Sequence, residues 1–149
     1  MAVMNVLPWV YSDGGRAAAG LRGSAGDCVT RAIAIATELP YRRVYDELNE
    51  QAESERVTQG HRRSSARSGV RRPVYETYLR HFGAVWTPTM AIGAGCQVHL
   101  AAGELPSQGR LVVALSRHVC AVVDGVVYDT SDPGRGGTRC VYGFYTMSL

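Results

Sequence analysis

Asp124-Gly125 is the strongest hairpin signal in the chain, a dipeptide suited to the positive φ angles of a type I′ turn. It separates two runs that read as strands, His118-Val119-Cys120-Ala121-Val122-Val123 and Val126-Val127-Tyr128-Asp129-Thr130. Leu111-Val112-Val113-Ala114-Leu115, bounded by Gly109-Arg110 and Ser116-Arg117, reads as a buried strand just before them. Residues 139–145 close the sheet, so the C-terminal half is expected to form an antiparallel sheet of about four strands. A two-residue loop pairs Val123 with Val126 and Cys120 with Asp129. Period two then puts His118, Cys120 and Val122 on one face. Asp129 faces the same way, diagonal to His118.

The first half reads as helical. Residues 27–38 carry small and apolar side chains at helical spacing, with Asp27 as N-cap and Cys28 in the first turn. Pro40 opens a second helix through Val44, Leu48 and Ala52, and residues 73–82 make a short amphipathic helix stopped by Gly83. Residues 84–88 read as extended, Gly93-Ala94-Gly95 as a loop and residues 97–102 as a helical turn. Residues 1–25 read as irregular, with Trp9 and Tyr11 as anchors. Helices first and sheet last define a single α+β domain over residues 1–149.

A cysteine at a helix start has free N–H groups and the positive dipole end beside it, both of which favour the nucleophilic thiolate. His118 is the candidate base, and Asp129 the carboxylate that fixes its tautomer. Asp132 is a rival for that place. The plainer readings are a small buried cysteine, a strand-end histidine and a turn carboxylate.

Asp27-Cys28, His118 with Ala121-Val122-Val123-Asp124-Gly125, and Tyr128-Asp129-Thr130-Ser131-Asp132 together resemble small phage- and prophage-borne papain-like proteins. They resemble more loosely the bacteriocin leader-processing cysteine peptidases, where an Asp-Cys pair opens the central helix and an Asp-Pro pair follows the His strand. The resemblance spans residues 24–145. It implies a papain-like fold with Cys28 as nucleophile, His118 as base and Asp129 or Asp132 as orienter. Those families commonly carry a Gln before the cysteine as second oxyanion donor. Residues 22–27 contain none, so Ser24 or a backbone amide stands in that place. The expected function is hydrolysis or transfer at an amide, isopeptide or ester carbonyl of a protein or peptide substrate, with Trp86 and Trp9 as groove-lining residues. The alternative is a catalytically silent phage-type binding module that acts on a host protein or nucleic acid through the cleft or an arginine-rich loop.

That loop, residues 56–72, carries six arginines and no acid, and without it the net charge of +3 becomes −3. Clustered arginine has phosphate affinity, but the segment lacks aromatics for base stacking. A charged, mobile loop over the cleft is the simpler reading. All 16 basic residues are arginine. A GC-rich coding sequence accounts for this, as does avoidance of lysine modification. Four cysteines without a secretory signal are expected as reduced thiols in a cytoplasmic protein. No apolar run is long enough to span a membrane. Cys96 and His99, with His118, Cys120 and Cys140, offer a zinc alternative on weak spacing. No metal or cofactor is expected. His61 and His81 read as solvent-facing or capping.

Overall fold

The computed structural model describes residues 5–22, 25–56, 60 and 62–148. Three helices, α1 (Cys28–Thr37), α2 (Tyr41–Glu53) and α3 (Arg72–Arg80), pack on a mixed sheet. Its strands are β1 (Trp9–Tyr11), β2 (Val85–Pro88), β3 (Arg110–Leu115), β4 (His118–Val123), β5 (Val126–Asp129) and β6 (Val141–Thr146). Their spatial order is β1-β5-β4-β3-β6-β2. The sheet has six strands rather than about four, and it is not purely antiparallel. β1 runs parallel to β5, with Trp9 beside Val127. The N-terminal segment expected to be irregular therefore supplies an edge strand. Three residues exposed throughout give no alternation by which to read it.

The hairpin register follows the Asp124-Gly125 turn, with Val123 opposite Val126 and Val122 opposite Val127. β3 is buried along nearly its whole length because both sheet faces are covered. Val112, Val119, Ala121 and Tyr145 meet the helices, packing with Ile33, Val44, Leu48 and Leu79. Leu111, Val113, Cys120, Val122 and Phe144 face the other way, under Leu100 and Leu105. Those two leucines belong to a segment expected to contain a helical turn at residues 97–102. Instead His99 bridges Cys140 in extended fashion, with Leu100 pressed onto the sheet. Tertiary burial of one leucine overrides the weak local preference.

Side chains close the element ends. Arg110 donates from Nε to the Ala36 carbonyl and from Nη2 to that of Ile35, each at 2.7 Å, satisfying acceptors at the C-terminus of α1. Asp27 is not the expected side-chain cap, since its carboxylate makes no hydrogen bond to the α1 amides. It points instead at Arg31, Arg16 and Tyr41.

Two further expectations are corrected. Cys96 and Cys140 form a disulfide, with Cα atoms 5.8 Å apart, so only Cys28 and Cys120 are free thiols. This removes the thiol-based ground for a reducing compartment and takes two sulfurs out of the zinc alternative. Among the described residues no helix is long and apolar enough to cross a membrane.

The arginine-rich segment, in its described part, is anchored rather than a mobile charged loop. Ser64 donates through N and Oγ to Glu55, Ala66 N donates to Asn49, and Arg63 donates to the carbonyls of Ala52 and Glu53. Ala66 is fully buried, and its carbonyl accepts from Thr30 Oγ1 of α1 at 2.7 Å.

Two stability effects follow. Gly143 in β6 lies against the Trp86 ring, and an added Cβ would sit 2.2 Å from Cη2. Gly143→Ala should cost about 1–3 kcal/mol in denaturant unfolding followed by tryptophan fluorescence. The Cys96–Cys140 bond closes a loop of 44 residues. Its reduction, or Cys140→Ser, should lower the unfolding free energy by about 2–4 kcal/mol, measured with and without a phosphine reductant.

Candidate active site

α1 begins at Cys28, so the thiol lies where the first amides have no intrahelical acceptor. Thr30 and Ala66 lock this end of the helix to the 64–70 segment. Gly26 meets the same segment closely, since a Cβ there would be 2.8 Å from the Ser68 carbonyl oxygen. Across the gap, the tight turn at Ser116-Arg117 brings in β4, whose first residue is His118. The cleft between them has a volume of about 550 Å³, with Cys28, Val70, Arg72, Tyr75, Arg117 and His118 in its wall.

His118 Nε2 donates to Asp129 Oδ2 at 2.5 Å. The ring shares the cleft wall with Cys28, and the two groups interact electrostatically. The carboxylate expected on facing grounds is thus the one at the imidazole. Asp132 turns away, its Oδ1 accepting from Gly134 N at 2.9 Å in a tight local turn. Asp129 is buried and fully engaged. Oδ1 accepts from Arg31 Nη2 at 3.2 Å and from Thr130 N at 2.7 Å.

These contacts set the charge states. Burial pushes the Cys28 thiol up, but the His118 hydrogen bond and charge, the Val119 amide and Arg31 outweigh it. The thiol ends below its ordinary value. Burial pulls His118 down, while hydrogen bonds to Asp129 and Cys28 and their charges raise it to about 9. Burial raises Asp129, and His118, the Thr130 amide and Arg31 bring it below the usual carboxylate value. All three directions favour a thiolate beside an imidazolium held by a carboxylate. Cys120, wholly buried, is pushed strongly the other way.

Sequence reasoning missed Arg31 and Tyr41. Arg31 lies between two carboxylates, pairing through Nη1 with Asp27 and through Nη2 with Asp129. Tyr41 Oη donates to Asp27 Oδ2 at 2.6 Å. The i,i+4 spacing of Asp27 and Arg31 was a usable signal for half of this network. The two tryptophans do not line the cleft. Trp86 packs on Tyr145 with Arg72 stacked over it, so Arg72 and Tyr75 form the wall instead. Trp9 donates from Nε1 to the Asp129 carbonyl at 3.1 Å, bracing the strand that bears the carboxylate. His81 is the exposed C-cap of α3. Ser24 and His61 lie outside the described residues. Among the described residues no three His, Cys, Asp or Glu side chains gather as a metal site.

Comparison with protein-family models, with curated proteins and with solved structures finds no match.

Alkylation reads these charges directly. Iodoacetamide should label Cys28 well before Cys120, with an onset at lower pH than an ordinary thiol of pKa about 8.5. The rate should plateau and show a second step near pH 9 as His118 loses its proton. Asp129→Asn removes the charge that raises His118. The upper step should then move down in pH and the thiolate onset up. Equal labelling of both thiols at neutral pH would contradict the assigned charges.

Proposed function

We propose that this chain is a cysteine hydrolase of papain-like design, acting at an amide, isopeptide or ester carbonyl of a protein or peptide. One observation carries the reading: His118, hydrogen-bonded to the buried Asp129, shares the wall of an open cleft with the Cys28 thiol at the start of α1. The chain order, with Cys at a helix start, His opening a strand and Asp ending the next, supports the resemblance to phage-borne papain-like proteins. The binding-module alternative is weakened by the arginine-rich segment. There Arg63 is occupied by backbone carbonyls and Arg72 by Trp86 and Glu76.

In the proposed reaction the Cys28 thiolate attacks the carbonyl carbon and a tetrahedral oxyanion forms. The amide of Cys28 serves as one donor to it. As the intermediate collapses, the carbon–nitrogen or carbon–oxygen bond breaks. The leaving group takes the proton from His118, and an acyl thioester remains on Cys28. Neutral His118 then removes a proton from water, whose oxygen attacks the thioester. The acid leaves, and the thiolate–imidazolium pair is restored. Asp129 stays ionised throughout, holding the ring and stabilising its charged form.

p-Nitrophenyl acetate tests this without knowledge of the natural substrate. The wild type should hydrolyse it and show acetylated Cys28 by mass spectrometry after acid quench. Cys28→Ala and His118→Ala should each lose about a thousandfold or more in rate, since members of one catalytic unit are not additive. Melting should change little in Cys28→Ala, because loss of one sulfur at a cleft wall leaves little cavity. Undiminished hydrolysis by folded Cys28→Ala would overturn the proposal.

A further inference from the structure

His118 separates two clefts. One holds Cys28. The other, also of about 550 Å³, shares His118 with it but not Cys28, and is lined by Arg117, Arg135 and Arg139, with Asp132 as its one carboxylate. Three guanidiniums against one carboxylate make it a cationic trough. It is also built rather than accidental. Arg139 donates from Nη2 to the Ser116 carbonyl at 2.6 Å and from Nη1 to that of Pro133 at 3.5 Å, tying the β3–β4 turn to the loop after β5. Asp132 is engaged by the Gly134 amide. Arg117 and Arg135 are exposed and have no ion-pair partner among the described residues. Both stand in the left-handed region, at φ 55° and 51°. That conformation is uncommon and costly for a side chain of this kind, and strained residues gather at functional sites.

We propose that this trough binds a carboxylate on the leaving-group side of the scissile bond, so that the substrate is an acidic peptide or a peptide with its C-terminal carboxylate close by. This deepens the hydrolase reading and rests on it. The direction follows from the chemistry. His118 delivers its proton to the leaving group, so the leaving half of the substrate must lie on the imidazole side of Cys28. The trough shares His118 and Arg117, but not Cys28, with the catalytic cleft, which puts it next to the imidazole. A guanidinium fork matches a carboxylate bidentately. The two occupied guanidinium nitrogens of Arg139 make it a brace, with Arg117 and Arg135 as the groups that meet the ligand.

Three iodoacetyl peptides test the proposal: iodoacetyl-Gly-Glu-Glu amide, iodoacetyl-Gly-Gln-Gln amide and iodoacetyl-Gly-Gln-Gln free acid. In each, Cys28 Sγ displaces iodide as a carbon–sulfur bond forms. Rates at Cys28 are normalised to the iodoacetamide rate of the same protein, which cancels any change in thiol reactivity. At low salt the Glu-Glu amide or the free acid should react about tenfold faster than the Gln-Gln amide. Which of the two leads identifies a side-chain or a terminal carboxylate. The preference should fall to about twofold or less in high salt. It should fall equally in Arg117→Asn with Arg135→Asn, where Asn keeps the left-handed backbone accessible. Fast iodoacetamide labelling with no preference among the three peptides overturns the carboxylate trough alone. So does a preference that survives the double substitution in a protein of unchanged melting temperature. Slow labelling of Cys28 by every reagent overturns the hydrolase reading and this inference with it.

Discussion

A buried chain of charges, Tyr41–Asp27–Arg31–Asp129–His118, joins the start of α1 to the end of β5. Asp27 and Asp129 are almost fully buried, and ionised carboxylates so placed are costly unless paired. Arg31 pairs with both, at a side-chain exposure of only 12%. Removing one member of such a group generally costs about 3–5 kcal/mol, because an uncompensated charge is left behind. The network is also a ruler. Cys28 sits one residue after Asp27 and His118 is bound to Asp129, so Arg31 fixes the spacing of the two elements that carry the thiol and the imidazole.

The rest of the molecule supports that join. The sheet is covered on both faces, by helices on one side and by Leu100 and Leu105 on the other, so β3 and β4 are packed from both sides. Trp9 adds a hydrogen bond to the Asp129 carbonyl from a strand that exists only through its pairing with β5. The disulfide pins the segment before Leu100 to the approach of β6. A chain of this size gains from such a cross-link chiefly through the restricted unfolded state.

Arginine, which takes every place that lysine could fill, has several distinct uses here. Arg110 completes a helix end, Arg63 satisfies carbonyls after α2, Arg72 lies over Trp86 and Arg31 holds two carboxylates. Arg139 braces two loops, while Arg117 and Arg135 are left facing solvent beside the imidazole. The same residue type thus acts as scaffold or as surface charge according to what surrounds it. Along residues 56–72 both readings meet: most of the arginines face solvent, while Ser64 and Ala66 tie the segment to α2 and α1.

Local signals were enough for much of the fold. The Asp-Gly turn fixes the β4–β5 register, because a two-residue loop permits one alignment and period two sets the faces. The spacing of Val44, Leu48 and Ala52 marks the buried stripe of α2, and Pro73 with Gly83 brackets α3. Cys28, His118 and Asp129 were readable as a set because helix start, strand start and hairpin partner are all local properties. What tertiary structure alone decided is non-local. The three residues of β1 carry no period, so their parallel pairing depends on an edge 118 residues away, at Trp9 and Val127. The Cys96–Cys140 bond and the turning of Asp27 from cap to ion pair each depend on which groups meet in space. A sequence states what each residue offers, whereas burial decides which partner a charge or thiol must take.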